Sequence, residues 1–309
     1  MITGGAGFIG SNLVKNLLET TSHEIVVVDR NATNIGRLKD LVLDCRDVTI
    51  VRGCYSNIGG EIIAEHQPDI VIHLAAVPRV AFSVEHPDTT TYENVFFLSK
   101  LLNKCKSSPS VKRFVFASSS SVYGGAEVLP TPETHPLNPQ SPYALQKKTG
   151  EEYCKLFSNL YGLDTVCLRF FNVFGPEQYV DSPYATVISN WCNSIKENLP
   201  LIIEDDGDQS RDFNYVDNVV EAVKCASFAE DEFAGDVFNV GNNEQTSLND
   251  ILDWFKDHGC EFELDRRPAR VGDVRHTKAD ISKIKTIGYT PVCDVWNGLE
   301  KTKNWWDTL

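Results

Sequence analysis

Residues 1–12 read MITGGAGFIGSN, and the spacing of the glycines in this stretch decides the fold. Gly4, Gly7 and Gly10 follow a GxxGxxG pattern. Glycines placed this way let the backbone turn tightly after a strand, approach a pyrophosphate closely and pack the next helix onto a sheet. The N-terminus of that helix then offers N–H groups and the positive end of its dipole. No Lys-Ser/Thr pair follows, so this is not the nucleoside-triphosphate loop GxxxxGK[ST]. The first strand has only Met1 and Ile2 ahead of Thr3. A central strand normally runs about 5 residues, so either this strand is unusually short or its true start lies upstream.

Outward from the loop, short apolar runs recur: EIVVVD (24–29), DIVIHLAA (69–76), RFVFAS (113–118) and TVCLRFF (165–171). They are continuous rather than alternating, as in strands buried on both faces of a parallel sheet. Helical patterns lie between them at 8–20, 89–106 and 142–161. This alternation predicts an α/β fold, a Rossmann-like doubly wound parallel sheet. Beyond residue 172 the pattern loosens into strands at 200–204 and 236–241 and helices near 184–197, 217–229 and 247–258. The expected organisation is a dinucleotide-binding domain over 1–171 and a smaller substrate-binding lobe over 172–309. Parts of 211–241 could return to the first domain. Asp29 ends a strand 19 residues after Gly10. An acid there bonds the adenosine ribose hydroxyls and repels a 2′-phosphate, which favours NAD over NADP, although neighbouring Arg30 pulls the other way.

The formal net charge of −14 argues against a non-specific nucleic-acid binder. Nine cysteines, with no CxxC pair, read as reduced thiols of a cytoplasmic protein rather than a disulfide framework or zinc site. No HExxH is present and no metal is expected. No apolar run approaches the roughly 18 residues of a membrane helix, and the N-terminus lacks the pattern of a signal peptide.

Two further stretches carry chemistry. In QSPYALQKKTGEEY, Ser141 suits an N-cap and Pro142 a first helical position. Tyr143 then sits in the first turn with Lys147 at i+4 on the same face. A free tyrosine has a pKa near ~10. A fixed ammonium, the helix dipole and an oxidised nicotinamide would each favour its phenolate and make it a usable base. In RFVFASSSSVYG, residues 113–124, an apolar strand runs into four serines and a turn. Ligands of open α/β sheets bind beyond the carboxyl ends of strands, so a hydroxyl there can bond the reacting oxygen and relay a proton to Tyr143.

Together TGGAGFIGSN, HLAA, ASSSSVYG, SPYALQK, RFFNVFGP, SRDFNYVDN and RPARVGDVRHTKAD resemble the extended short-chain dehydrogenase/reductase superfamily, and within it the nucleotide-sugar 4-epimerases. The resemblance spans nearly the whole chain, with the motifs in the family's order. It implies an enzyme that inverts C4 of a UDP-hexose through a transient 4-keto intermediate, with NAD as a bound cofactor. It implies catalytic roles for Ser119, Tyr143 and Lys147. It places the cofactor on Gly4, Gly7, Phe8, Ile9, Gly10, Asp29, Arg30, Leu74, Ala75, Ala76 and Asn94, and on Tyr143 and Lys147. The substrate falls to Ser119, Ser120, Tyr143, Asn172, Arg211, Arg270, Asp273 and Thr277. Arginine suits a diphosphate because its planar donors grip phosphate in pairs.

Dehydratase relatives resemble Thr-Asp-Glu where this chain has Ser119-Ser120-Ser121, and decarboxylases usually keep a glutamate. Without those carboxylates epimerisation is favoured over either alternative. A UDP-glucuronate 4-epimerase and a silent NAD-binding regulatory protein are further alternatives. Small Thr277 and the stretch NVFGPEQYVDSPYATVI resemble relatives that accept N-acetylated sugars. The expected substrates are therefore UDP-N-acetylglucosamine/UDP-N-acetylgalactosamine, UDP-glucose/UDP-galactose, or both pairs. Family members often form homodimers through the helices near 89–106 and 143–161. One departure stands out: Gly53-Cys54 replaces the Gly-Asp that commonly bonds adenine, and a thiol is a poor acceptor.

Overall fold

A computed structural model describes residues 1–43, 45, 47–180, 186–269 and 274–309. Its first part alternates β1 (Ile2–Thr3), α1 (Phe8–Thr20), β2 (Ile25–Asp29), α2 (Ala32–Leu41), β3 (Val48–Arg52), α3 (Tyr55–His66) and β4 (Ile70–His73). Then follow α4 (Val80–Glu85), α5 (Pro87–Thr91), a π-turn at Tyr92–Phe96, α6 (Phe97–Cys105), β5 (Arg113–Ser119), α7 (Pro142–Tyr161) and β6 (Asp164–Phe170). The remainder comprises β7 (Val173–Phe174), α8 (Val187–Lys196), β8 (Leu201–Glu204), β9 (Ser210–Arg211), β10 (Asn214–Tyr215), α9 (Val216–Phe228) and β11 (Asp236–Val240). It closes with β12 (Thr246–Ser247), α10 (Leu248–Asp257), β13 (Leu264–Arg267), α11 (Ser282–Lys285) and α12 (Val295–Thr308).

Seven parallel strands form the central sheet in the order β11-β6-β5-β4-β1-β2-β3. This is the Rossmann-like arrangement, with strand order reversing between β1 and β4. The continuous apolar runs behave as their composition dictates. Ile25 and Val27 of β2 enter the core on one face of the sheet, while Val26 and Val28 enter the core on the other. β5 divides likewise, Val115 against Phe114 and Phe116. Each fully buried side chain of this kind contributes roughly 1.5–3 kcal/mol, so the register of the sheet is fixed from both sides. β1 is only two residues long, yet it pairs with both β2 and β4 and supplies the strand end from which the glycine loop leaves. A separate core of Trp191, Phe213, Phe255 and Trp306 lies under α8, α10 and α12.

Two expected elements change shape. The run 69–76 is a strand only to His73; Leu74, Ala75 and Ala76 leave the sheet at its carboxyl edge. The helix expected over 89–106 is broken at Tyr92–Phe96, where the π-turn rotates Asn94 inward to 5% exposure. Its amide is satisfied there by Val77 and Gln146, which outweighs continuous α-geometry. None of the described helices is long and apolar enough to cross a membrane.

Candidate active site

A cleft of about 500 Å³ lies over the carboxyl ends of the central strands, beside the reversal between β1 and β4. Gly4 turns at φ +70°, and a Cβ there would stand 2.7 Å from the Ala75 nitrogen. A Cβ on Gly10 would collide with the Gly4 carbonyl, so glycine alone lets α1 run this close to the loop. Gly7 is the N-cap of α1 and provides no side-chain cap, and no acid occupies the first turn. The amides of that turn lack intrahelical acceptors, and the turn faces the cleft. An uncapped, acid-free helix start over a glycine turn fits a dinucleotide pyrophosphate.

Asp29 anchors the next wall: its carboxylate accepts from the Ala6 amide at 3.2 Å and the Asn31 amide at 3.0 Å. Cys54 lies at the cleft as the N-cap of α3, with Sγ 3.1 Å from Ser56 Oγ. Gly4, Gly7, Phe8, Ile9, Gly10, Asp29, Arg30, Leu74, Ala75, Ala76, Tyr143 and Lys147 all line this one cleft. Asn94 does not. It donates to Val77 O (3.1 Å) and Gln146 Oε1 (2.8 Å) and accepts from Val77 N (2.8 Å). Asn94 therefore clamps the loop after β4 rather than presenting its amide to the cleft.

α7 starts as its sequence dictates: Ser141 Oγ accepts from the Ala144 amide, and Pro142 fills the first turn. The Tyr143 amide donates to Ser83 Oγ of α4 at 3.0 Å, docking the loop from Val77 to Ser83 around the tyrosine. Burial pushes the Tyr143 phenol up to about 12, while a hydrogen bond with Ser119 and the charge of Arg79 pull it back. Burial likewise pushes the Lys147 ammonium down to about 8, opposed by its neighbours Cys154, Glu151 and Cys167. The sequence points to Lys147 as the cation that lowers the phenol. In the structure, Lys147 Nζ donates instead to Ala117 O at 2.7 Å and stands 5.7 Å from the centre of the Tyr143 ring. Desolvation outweighs the nearby charges, so the chain's own groups leave Tyr143 protonated at pH 7.

The four serines divide their work. Ser118 donates to Glu151 Oε1 at 2.5 Å, and Glu151 also holds Arg169 through Nε (2.9 Å) and Nη2 (2.7 Å). Ser119 caps the short turn that follows, accepting from the Ser121 amide at 3.2 Å, and reaches Tyr143. Ser120 is half-buried at the start of that turn. Ser121 Oγ is buried with no partner among the described residues.

The second lobe gathers the other expected residues. Asn172 Nδ2 donates to Thr277 Oγ1 at 3.2 Å and to Asp212 O at 3.3 Å. The Asp212 amide also donates to Thr277 Oγ1, at 3.2 Å. Arg211 Nη1 is aimed by the carbonyls of Ser210 (3.1 Å) and Arg275 (3.0 Å). Arg270 and Asp273 lie outside the described residues. Sequence reasoning missed Arg79, Glu151 and Glu93. Glu151 stands at i+4 from Lys147, so helical spacing alone could have found it.

The model of the NAD dependent epimerase/dehydratase family matches residues 1–241. Three solved structures are similar along the whole chain. A UDP-N-acetylglucosamine 4-epimerase from Methanobrevibacter ruminantium, in complex with UDP-N-acetylmuramic acid, is 33% identical, with TM-score 0.91 and coverage of 99% of this chain and 97% of that one. A UDP-glucose 4-epimerase from Thermotoga maritima, with UDP-glucose, is 32% identical, with TM-score 0.90 and coverage of 99% and 98%. A UDP-glucuronic acid 4-epimerase from Bacillus cereus, in complex with UDP-glucuronic acid and NAD, is 30% identical, with TM-score 0.91 and coverage of 99% and 98%.

Proposed function

This chain belongs to the NAD dependent epimerase/dehydratase family, and from that premise we propose that it inverts C4 of a UDP-hexose. The carrying observation is that Tyr143 and Lys147 line the same cleft that the uncapped start of α1 enters, with Ser119 hydrogen-bonded to Tyr143. NAD bound in this cleft would accept and return the hydride of the sugar carbon. The glycine loop, Asp29 and Leu74–Ala76 would hold it. Tyr143 Oη, as the phenolate that the positive charge of a bound oxidised nicotinamide would favour, takes the proton of the sugar 4-hydroxyl and gives it back, with Ser119 bonding the reacting oxygen. Arg79 supplies positive charge that partly offsets burial of the phenol, while Ala117 O holds the Lys147 ammonium beside the Tyr143 ring. No carboxylate stands at Ser120 or Ser121, which supports epimerisation over elimination or decarboxylation.

Residues 1–171 serve the cofactor and 172–309 the UDP-sugar, with α9 and β11 packed on the sheet of the first part. Arg211, Arg270 and Asp273 bind the nucleotide end. Thr277 faces the C2 substituent. Its oxygen accepts from Asn172 and from the Asp212 amide, which leaves its own O–H as donor, a match for an acetamido carbonyl. UDP-N-acetylglucosamine and UDP-N-acetylgalactosamine are thus the favoured pair, with the unacetylated pair also accepted. Exposed Tyr92 (54%), Phe96 (46%), Leu145 (56%), Leu156 (48%) and Leu160 (62%) on the two neighbouring helical segments support pairing with a second copy. Nine free thiols fit a reducing cytoplasm. The test is incubation with UDP-N-acetylglucosamine, UDP-glucose and UDP-glucuronate, products being resolved by NMR. Each of the first two should yield its C4 epimer. Turnover of UDP-glucuronate alone would sink the sugar assignment, and bound NAD with no turnover would sink the activity.

A further inference from the structure

Whether the adenosine ribose in a cleft of this kind can carry a 2′-phosphate depends on the residues at the end of the second strand. An acid there repels the phosphate and an arginine accepts it. This chain has both, side by side, as Asp29 and Arg30. Their partners settle the contest. The Asp29 carboxylate is held against the glycine loop by the Ala6 and Asn31 amides. Arg30 is engaged instead: its Nη1 lies between both oxygens of Glu93, at 2.7 and 2.8 Å. Glu93 is 63 residues away in sequence and borders the same cleft.

The backbone around Glu93 is held by hydrogen bonds on both sides. It sits in the π-turn, directly before the buried Asn94 that clamps Val77 and Gln146, and its backbone carbonyl accepts from Tyr55 Oη at 3.2 Å. Glu93 is also the better buried partner, 20% exposed against 53% for Arg30. The arginine is therefore the more exposed member, meeting an acid whose backbone is anchored. A second arginine on this wall, Arg37 of α2, is engaged as well, its guanidinium 3.4 Å over the ring of Tyr179. Both Arg30 and Arg37, the arginines that line this wall of the cleft, are thus engaged by a partner from elsewhere in the fold.

We propose that Glu93 is a cofactor-specificity residue: by sequestering Arg30 it leaves Asp29 to govern the ribose site and excludes a 2′-phosphate. The proposal rests on the NAD reading above. Half-exposed ion pairs contribute little to stability, so Glu93→Gln, nearly isosteric, should fold normally. NAD and NADP are titrated calorimetrically into protein freed of bound nucleotide, for the wild type, Glu93→Gln, and Glu93→Gln combined with Arg30→Leu. The expected result is clear NAD preference in the wild type. Glu93→Gln should raise NADP affinity relative to NAD by about tenfold or more, as a released guanidinium pairs with phosphate. Adding Arg30→Leu should cancel the gain. Equal wild-type affinity for the two cofactors, an unchanged ratio in Glu93→Gln, or a gain that survives loss of Arg30 would each overturn the proposal. A wild type that binds neither cofactor would instead overturn the NAD reading.

Discussion

Replacing Glu151 by glutamine tests whether the ion pair behind the catalytic strand controls the chemistry in front of it. Glu151 and Arg169 are nearly closed to solvent, their side chains 6% and 4% exposed. Glutamine preserves the shape but removes the charge and leaves one acceptor oxygen where two now serve Arg169 and Ser118. Arg169 would retain Tyr123 Oη and the Glu133 carbonyl as acceptors, both neutral. Removing one member of a buried pair typically costs about 3–5 kcal/mol because the other charge stays desolvated. Against a total stability of about 5–15 kcal/mol, that is a large fall in the urea midpoint. The catalytic consequence has a definite sign. Glu151 is one of the charges that holds the Lys147 ammonium up against burial. Without it Lys147 loses its proton at lower pH, so the alkaline limb of the pH–rate profile moves to lower pH. Ser118→Ala is the control: it removes one hydrogen bond, about 1 kcal/mol, keeps the Glu151 charge and should leave the limb in place. A Glu151→Gln protein with a wild-type urea midpoint, or with an unmoved alkaline limb, would refute the reasoning.

Tyr143→Phe should keep the fold and NAD binding but lose at least ~10²-fold in turnover; a near-native rate would remove Tyr143 Oη from the chemistry. Ser119→Ala should cost less than Tyr143→Phe and more than Ser120→Ala, and the reverse order of the two serines would misplace the catalytic hydroxyl. Lys147 titrates near 8 when folded against an ordinary 10.5, so the unfolded chain binds its proton more tightly and stability should rise as pH climbs from about 8 to 10.5, by ~1.4 kcal/mol per unit. Lys147→Met should lack that rise, and urea melts of both proteins that run parallel across this range would contradict it. Thr277→Tyr should suppress the N-acetylated substrate about 10- to 100-fold while sparing UDP-galactose; equal treatment of both sugars would separate Thr277 from the C2 substituent.

The parts of this site that could be read from the sequence are those where local spacing determines geometry. The glycines at 4, 7 and 10 work through backbone shape within one turn and one helix start. Tyr143 and Lys147 share a helix face because they are four residues apart, and Ser141-Pro142 announces where that helix begins. The continuous apolar runs declared buried parallel strands, since only such strands need hydrophobic residues toward both faces. The weaker elements escaped for the same reason in reverse. α2 buries only Ile35 and Leu38, and α3 carries Gly59 and Gly60, so neither shows a broad apolar stripe.

The charges around the site follow a different logic. Arg79 acts on Tyr143 from a loop pinned at Val77 by Asn94 and at Ser83 by the Tyr143 amide, a geometry that depends on three separate elements. Glu93 meets Arg30 only because a π-turn interrupts the helix between Pro87 and Cys105. That turn exists because Asn94 finds better partners facing inward than outward. One buried asparagine thus aligns the loop that carries Arg79 and fixes the acid that engages Arg30. In the proposed reaction, acid–base chemistry at Tyr143 and cofactor selectivity at Arg30 are then coupled through a residue that touches neither. Asn94→Leu should therefore disturb both together, lowering turnover and weakening NAD preference in the same protein. If either property stayed at its wild-type value, the shared mount would not be their common support.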